Sequence, residues 1–369
     1  MNEFMEKFEG LNVSSKFAIC GLPLRVDSYK TCSFLCRYCF ANGRKVMEFE
    51  KCLTIANTES IEKRCDRIFN HDDYDRENFL DALIANRVTW HFGGMSDPFQ
   101  PCNADLKITN KIIDIGNRYG VTMLISTKAD TTHGADLRPD LHTFQLSVSN
   151  VHNRRDIEPG VPDIESRYRF FCDLKERGFR VGIRIQPFIP GVSDLGIVEK
   201  FKDADHFIIE GLKIIPQDGE QKDYCFGELG MKPSHFTQMG LLNMLPEWRY
   251  ELYQPFVAYF NEHGMSFSIS DNDMRWLGNN MCCCGDRLVK KSPGFDVTAM
   301  IMKRKDRHWT LDNVLKEVGC YQNCVAKDLF TSNRTEGCRT VAEFYRMRFG
   351  RASSPFSPKF QYYHAPTLF

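Results

Sequence analysis

The chain has 369 residues, with 48 Lys and Arg against 48 Asp and Glu, so its formal net charge is zero. Hydrophobic residues make up 42% and charged residues 26%, a balance typical of globular proteins that excludes an intrinsically disordered chain. No run of about 18 apolar residues occurs and the acidic first ten residues do not resemble a secretory signal, so we expect a cytoplasmic protein with no membrane partner.

Short apolar runs rich in β-branched and aromatic residues alternate along the chain with amphipathic helical patterns. The predicted strands are Leu24–Asp27, Val88–Phe92, Val121–Ser126, Thr143–Val148, Val181–Ile185, Phe207–Ile209 and Phe267–Ile269. The predicted helices are Glu77–Ile84, Leu106–Tyr119, Ile164–Arg177, Leu195–Lys202 and Trp248–His263. Alternating strands and helices build parallel β/α units. The pattern therefore predicts an α/β fold with a complete or partial barrel-like sheet and chemistry at the carboxyl ends of its strands.

The alternation ends near Asp271, where the composition changes. From there to the C-terminus the chain carries 16 Lys and Arg against 10 Asp and Glu, together with six of the 15 cysteines. We therefore divide the chain into a barrel over residues 1–270 and a small, cysteine-rich, basic C-terminal subdomain with an aromatic tail over residues 271–369. Cations interleaved with aromatic rings can bind phosphates and bases, although an amphipathic helix docked on the barrel explains the same pattern.

Fifteen cysteines without a secretory signal indicate metal or redox chemistry rather than a disulfide scaffold. Cys32, Cys36 and Cys39 have the spacing CxxxCxxC directly after the first predicted strand. Three thiolates on one short loop can hold three irons of a 4Fe–4S cluster and leave the fourth iron open to a small ligand. A zinc site is the alternative, but zinc knuckles favour paired CxxC spacing and a nearby fourth ligand.

This motif, in which Tyr38 precedes the last cysteine, resembles that of the radical S-adenosylmethionine (radical SAM) superfamily. A second stretch narrows the resemblance. Gly93 and Gly94 end the second predicted strand, and the sequence SDPFQP that follows over residues 96–101 is similar to the spore photoproduct lyase-like branch. Further matches follow in order along the chain at Ser126–Lys128, Ser147–Ser149, Arg155, Glu158-Pro159, Arg184–Gly191 and Asp194.

The resemblance implies a partial (β/α)6-type TIM-like barrel of the radical SAM kind, with a 4Fe–4S cluster on Cys32, Cys36 and Cys39. It also implies that SAM binds the open iron and is cleaved to methionine and a 5′-deoxyadenosyl radical, which removes hydrogen from a substrate. The electron would come from a reductant such as flavodoxin or ferredoxin. The cofactor-binding residues implied are Gly93, Gly94, Ser96, Asp97, Ser147, Ser149, Arg184 and Lys128, the last meeting the methionine carboxylate.

A second group of cysteines comprises Cys282–Cys284, Cys320 and Cys324. Adjacent cysteines cannot all point the same way, so at most two of the triplet are expected to ligate one ion. We favour a second Fe–S cluster on Cys282, Cys284, Cys320 and Cys324, with structural zinc and free thiols as alternatives. The resemblance to spore photoproduct lyases also implies a thiol that donates hydrogen to a product radical, and Cys102 is the catalytic candidate by location.

The characterised chemistry of the branch concerns thymine in DNA, so the resemblance implies a nucleic-acid base as substrate. Thymine or a modified thymidine would undergo isomerisation or a repair-type C–C cleavage, in a bacterial or phage-infected cytoplasm. The alternative is a radical SAM enzyme that modifies a peptide or protein and relays electrons through an auxiliary Fe–S cluster. A non-enzymatic Fe–S or zinc module is disfavoured, because it has no use for Gly93, Gly94 and Lys128 around an open iron.

Overall fold

A computed structural model of the chain describes residues 5–14, 20–41, 54–76, 78–271, 273–280, 282–285 and 289–291. Its strands, β1 to β13 in chain order, are Lys7–Phe8, Leu11–Val13, Leu24–Val26, Ile55–Ala56, Trp90–Phe92, Met123–Thr127, His142–Ser147, Arg180–Phe188, His206–Gly211, Lys213–Ile214, Phe236–Met239, Leu241–Met244 and Phe267–Ile269. Its α-helices, α1 to α8, are Thr58–His71, Phe79–Ala85, Asn103–Leu106, Ile108–Tyr119, Ile164–Glu176, Gly196–Lys200, Gly219–Lys222 and Pro246–Glu262. Within these ranges no helix has both the length and the apolar character that crossing a membrane requires.

The centre of the fold is an eight-stranded sheet with the strand order β13-β9-β8-β7-β6-β5-β3-β2. In the described part of the chain, seven of these strands run parallel and only β2 pairs antiparallel, with β3. Helices lie in the connections between these parallel strands, as in other β/α proteins, except between β6 and β7, where residues 128–141 form a loop. The predicted α/β class and the parallel, partial barrel-like sheet are thus confirmed.

The helices cover one face of the sheet and leave the other as a lumen. α4 buries Ile108, Ile112, Ile113 and Ile115 along one stripe and ends at Gly120, whose φ of 62° is the left-handed conformation that suits a helix C-terminus. In β7, Phe144 packs edge-on against Phe170 of α5. Since side chains alternate along a strand, the neighbouring Gln145 faces the lumen.

All seven predicted strands and all five predicted helices are present, with ends displaced by a few residues. Helix α1 was not predicted, because its buried stripe consists only of Ile61, Cys65 and Ile68 in an otherwise polar sequence. Its start is set by Asn57, whose side chain accepts a hydrogen bond from Ser60 N at 3.2 Å. The small antiparallel sheet β10-β12-β11 was also missed, because its short strands depend on pairing with each other.

Candidate cofactor site and the second cysteine group

The predicted cluster ligands lie on one loop, residues 31–41, which follows β3 and which we call the cysteine loop. Cys36 is buried, while Cys32 and Cys39 are half-buried. Cys39 N donates to Cys36 O at 3.1 Å, which closes a tight turn between these two ligands. Leu35, at φ 51°, takes the left-handed backbone conformation that folds the loop back on itself. The loop therefore presents three thiols at the carboxyl end of a parallel strand.

One clamp on the cysteine loop comes from Gln100, the glutamine of the SDPFQP sequence. Its fully buried side chain accepts a hydrogen bond from Ser33 N at 2.9 Å and donates to Thr31 O at 2.8 Å. These bonds satisfy a backbone donor and a backbone acceptor that would otherwise be left unpaired. Gln100 therefore fixes the backbone on both sides of Cys32.

A second clamp on the cysteine loop comes from residues 157–160. Gly160 N donates to Phe34 O at 3.1 Å, and Ile157 O accepts from Arg37 N at 3.0 Å. A Cβ on Gly160 would lie 2.7 Å from Ser33 O, so only glycine allows the two backbones to approach this closely.

The thiols of the cysteine loop influence one another electrostatically. Burial raises the pKa of Cys32 to about 12, with a further increase from Asp97. Burial also raises the pKa of Cys36 well above its ordinary value, and Glu158 adds to the effect. Without a metal these thiols are therefore neutral, and binding a cluster would displace their protons.

The donor set of this loop fits a 4Fe–4S cluster. In the described ranges, no three His, Cys, Asp or Glu side chains converge closely enough to share one metal ion. Three thiols on one loop are instead the set that holds a 4Fe–4S cluster with one iron free. Cys32, Cys36 and Cys39 would be its ligands.

Gly93 and Gly94 follow β5 at the same edge of the sheet as the cysteine loop. Gly93 has φ 80°, and a Cβ there would lie 2.1 Å from the backbone oxygen of Ser126, so this position requires glycine. At Gly94 the nearest atom to such a Cβ is Arg25 Cδ, at 3.6 Å. The two glycines therefore serve different purposes: the first allows close strand packing, and the second leaves space beside the backbone.

Ser96 and Asp97, both predicted to bind SAM, are buried and bonded to the protein itself. Ser96 Oγ donates to Tyr29 O at 2.6 Å. The Asp97 carboxylate accepts from Thr127 Oγ1 at 2.7 Å and from Lys128 N at 2.6 Å. In this structure these side chains join the carboxyl ends of β5 and β6, and their predicted contact with SAM stays a prediction.

Lys128 lies at the end of β6 with its ammonium directed into a buried polar group. Lys128 Nζ lies 2.8 Å from Glu158 Oε1 and 3.4 Å from Ser147 O. It also lies 5.5 Å from the ring centroid of Tyr38, within cation–π range. The structure thus brings together the predicted SAM contacts Lys128 and Ser147 beside a tyrosine of the cysteine loop.

Ser149 belongs to the same buried group. It is fully buried, and its hydroxyl lies 3.4 Å from the hydroxyl of Tyr38, to which it donates. The hydroxyl of Tyr38 in turn donates to Glu158. Burial raises the pKa of Glu158, but Lys128 and Arg167 outweigh burial and hold the pKa below its ordinary value. Glu158 is therefore an anion between two cations.

Arg184, the remaining predicted SAM contact, lies in the lumen. Its guanidinium donates to Gln145 Oε1 at 2.6 Å and also to the side chain of Gln186. It is one member of a continuous chain of hydrogen bonds that crosses six neighbouring strands of the central sheet and ends on β10 of the small sheet. We call this chain the lumen relay. Its members, in order, are Arg25, His91, Ser126, Gln145, Arg184, Gln186, Glu210 and Lys213.

Cys102, predicted as the hydrogen donor, caps the start of α3 close to the cysteine loop. Burial raises its pKa to about 12, and Cys32 is the next largest cause of the increase. This electrostatic interaction means that the two cysteines lie near each other. Its role as a hydrogen donor stays a prediction.

The triplet Cys282–Cys284 belongs to a segment whose described residues, 279–280, 282–285 and 289–291, lie near the opposite, amino-terminal ends of the strands. Asn280 N donates to the oxygen of Phe267, the first residue of β13, at 3.0 Å. Lys290 O accepts from Thr89 N, just before β5, also at 3.0 Å. The described residues of this segment thus cross from one edge of the sheet towards the other. They contact the barrel, and the predicted division at residue 270 stays a prediction.

The three thiols of the triplet have different surroundings. Cys282 and Cys284 are buried in a small apolar cluster with Cys20, Leu22 and Leu124. Cys283 O accepts from Gln145 Nε2 at 2.9 Å, which ties the triplet to the lumen relay. Cys283 and Cys284 have their sulfurs 3.8 Å apart. Cys320 and Cys324, the other predicted ligands of a second cluster, lie outside the described residues.

The charges around Cys283 are the reverse of those around the cysteine loop. A hydrogen bond with Cys284 lowers the pKa of Cys283, and the guanidinium groups of Arg184, Arg275 and Arg25 lower it further. Together they outweigh burial and hold the pKa well below its ordinary value. The surroundings of Cys283 therefore favour the ionised form of its thiol.

Three residues of the site were not predicted from the sequence: Gln100 as a clamp, Gly160, and Glu158 as the partner of Lys128. Gln100 and Glu158 lie within stretches that match the spore photoproduct lyase-like branch, so a signal was present without a stated role. Gly160 gave no signal. Its contact joins segments more than 100 residues apart, and sequence periodicity carries no information about such a pair.

No protein-family model matches the chain. The uncharacterized protein Rv2578c of Mycobacterium tuberculosis is 24% identical over 191 residues, which cover 47% of this chain and 53% of that protein. The uncharacterized protein MJ0683 of Methanocaldococcus jannaschii is 23% identical over 210 residues, or 52% of this chain and 72% of that protein. The chain spans about half the length of the mycobacterial relatives it matches.

Among solved structures, spore photoproduct lyase complexed with a dinucleoside spore photoproduct matches with a TM-score of 0.50 and 12% identity. The match covers 70% of this chain and 80% of that one. A point mutant of the same enzyme gives a TM-score of 0.53 at 12% identity, over 72% of this chain and 80% of that one. At this identity the likeness concerns the fold, and it agrees with the resemblance found in the sequence. The chain therefore has the fold of spore photoproduct lyase.

Proposed function

We propose that the protein is a radical SAM enzyme that removes a hydrogen atom from a nucleic-acid base, thymine or a modified thymidine in DNA. The observation that carries the proposal is the position of the cysteine loop. Its three thiols lie at the carboxyl edge of a parallel sheet with the fold of spore photoproduct lyase. In barrel folds this edge is where catalytic groups gather.

The residues of the site have separable roles in this proposal. When bound, a 4Fe–4S cluster would supply the electron that cleaves SAM to methionine and a 5′-deoxyadenosyl radical. Cys32, Cys36 and Cys39 would hold the cluster, and Gly94 would leave room for a ligand beside the backbone. Lys128 would bind a ligand carboxylate. The buried surroundings of these groups exclude water, which strengthens charge interactions and protects a radical from side reactions.

The choice of substrate is supported by the sequence resemblance and by the solved complex of spore photoproduct lyase with a dinucleoside spore photoproduct. If the target base lies in duplex DNA, it must leave the stack to reach the site. The basic, aromatic segment after residue 291, which lies outside the described residues, has the composition of a surface that binds phosphates and bases. Isomerisation and repair-type C–C cleavage are both compatible with hydrogen abstraction.

The test is an anaerobic reconstitution with iron and sulfide, followed by incubation with SAM, dithionite and DNA. Three substrates are compared: DNA with modified or irradiated thymine, the same DNA with ordinary thymine, and a peptide mixture. Formation of 5′-deoxyadenosine and the mass of the digested nucleosides are measured. We expect 5′-deoxyadenosine to form faster with the modified DNA and a nucleoside to change in mass.

Three other outcomes would distinguish the proposal of radical SAM chemistry from the proposal of a thymine substrate. Iron uptake with slow SAM cleavage that no DNA stimulates would overturn the thymine substrate and leave a radical SAM enzyme. Stimulation by peptide alone would favour the peptide-modifying alternative. A reconstituted protein that binds no iron or does not cleave SAM would overturn the proposal as a whole.

A further inference from the structure

Glu158 lies at the centre of a buried group of side chains beside the cysteine loop. Its side chain is 6% exposed. One carboxylate oxygen accepts hydrogen bonds from Lys128 Nζ, at 2.8 Å, and from the hydroxyl of Tyr38, and the other accepts from Asn150 Nδ2 at 3.3 Å. Tyr38 lies between Cys36 and Cys39. The carboxylate therefore connects the end of β6 to the loop that carries the thiols.

The two opposite charges of this group both contact the residue between the last two thiols of the loop. Glu158 accepts a hydrogen bond from the hydroxyl of Tyr38, and Lys128 Nζ lies 5.5 Å from the centroid of the Tyr38 ring. The Lys128 side chain is 14% exposed, so both charges are largely shielded from solvent. Shielded charges interact more strongly than exposed ones, because little water or salt lies between them.

A second ion pair on the cysteine loop is exposed to solvent. Arg37, between Cys36 and Tyr38 in the sequence, lies 2.5 Å from Glu228 Oε1. The side chain of Glu228 is 56% exposed. The loop therefore contacts one buried ion pair through Tyr38 and contributes Arg37 to one exposed ion pair.

We propose that the buried pair of Glu158 and Lys128 sets the reduction potential of the Fe–S cluster held by the cysteine loop. This inference rests on the proposed function. Reduction adds one negative charge to a cluster, so a nearby carboxylate opposes it and a nearby ammonium favours it. Net charge and hydrogen bonding around the thiolates are among the factors that fix such potentials. Glu158 is a positioning residue, since it acts through Lys128, Tyr38 and the field at Cys36.

The experiment is a redox titration of the reconstituted protein without SAM, followed by electron paramagnetic resonance and visible absorption. Iron is counted in each preparation. The variants are Glu158→Gln, Lys128→Met and the double variant. We expect a more positive potential for Glu158→Gln, a more negative one for Lys128→Met, and a value close to that of the unmodified protein for the double variant. A purely structural role, in which either change loosens the loop, would not give shifts of opposite sign.

Glu228→Gln is the matched control. It makes the same chemical change in a carboxylate paired with the same loop, but solvent screens that pair. We expect its shift to be smaller than that of Glu158→Gln. Equal shifts in these two variants, shifts of the same sign for Glu158→Gln and Lys128→Met, or loss of iron from both would overturn the inference.

Failure of the inference can be told from failure of the proposed function. An unmodified protein that takes up no iron overturns the function, and the inference falls with it. An unmodified protein that holds a cluster whose potential is unmoved in Glu158→Gln overturns the inference alone. If only one variant retains its cluster, the sign of the change in its reduction potential decides whether the inference holds.

Discussion

Cys32, Cys36 and Cys39 lie on a loop at the carboxyl ends of the parallel strands, whereas Cys282–Cys284 lie near the amino-terminal ends. Between the two ends, strand β6 extends over five residues, or about 16 Å. The two groups are therefore found towards opposite ends of the parallel strands. Both are rich in thiols, but the protein holds them in different ways.

The charges around the two groups differ in sign. Burial, Asp97 and Glu158 raise the pKa values of thiols on the cysteine loop, so these thiols ionise only if a bound metal compensates. The hydrogen bond with Cys284 and then the nearby arginines instead lower the pKa of Cys283. Cysteine number alone therefore does not identify a metal site, because the surroundings shift the pKa values of these thiols in opposite directions.

The largest expected effect comes from Cys36→Ala. Removal of one of three ligands should abolish iron retention and lower 5′-deoxyadenosine formation by more than about 100-fold, since even residues behind metal ligands are often worth 10–100-fold. Iron analysis and product chromatography measure both. Cys65→Ala, which removes a fully buried thiol on the inner face of α1, should keep its iron. Wild-type iron content in Cys36→Ala would show that the loop is not the cluster site.

Gln100→Leu tests whether the clamp holds the loop. The change keeps a side chain of similar size but leaves Ser33 N and Thr31 O without their partner, at a cost of about 1–3 kcal/mol per buried group. The free energy of unfolding of the metal-free protein, measured in urea, should decrease. The iron content after reconstitution should decrease as well. Gln217→Leu, at an exposed position, is the control. Unchanged stability would mean that the clamp is dispensable.

Gly285→Ala tests the packing of the second group. Gly285 has φ 68°, and a Cβ there would lie 2.8 Å from Arg180 Nη2. Gly134 has φ 73° with no atom within 4 Å of such a Cβ, so Gly134→Ala carries the backbone cost alone. Because the end of an arginine side chain can move, the additional cost should be small. We expect the free energy of unfolding in urea to be lower for Gly285→Ala than for Gly134→Ala by only about 1 kcal/mol. Equal stabilities would contradict this packing.

The smallest effect on SAM cleavage should come from replacing both Cys282 and Cys284 with alanine. Distant sites act almost independently, so substrate-free 5′-deoxyadenosine formation should change by less than about twofold. Iron content is the sharper measurement: a decrease of about four irons per chain would reveal a second cluster in this region. A large decrease in SAM cleavage would show that the two ends of the barrel are coupled. It would contradict the expectation that the two cysteine groups act independently.

Much of the fold followed from the sequence because parallel strands and amphipathic helices have strong local patterns. The burial of every residue of β6 and the isoleucine stripe of α4 are examples. The weak stripe of α1 and the short strands β10, β11 and β12 gave no such signal. These elements depend on tertiary contacts for most of their stability.

For the site, the sequence by itself determined the cysteine loop, since CxxxCxxC places three thiols within eight residues wherever the chain folds. It also determined that Gly93, Lys128 and Ser149 follow strands, and therefore meet at one edge of the sheet. Only the tertiary structure decided that Lys128 pairs with Glu158, that Gly160 packs against the loop and that Cys282–Cys284 lie at the opposite end. Those contacts join distant segments, and their energies depend on burial and on neighbouring charges that exist only after the sheet has formed.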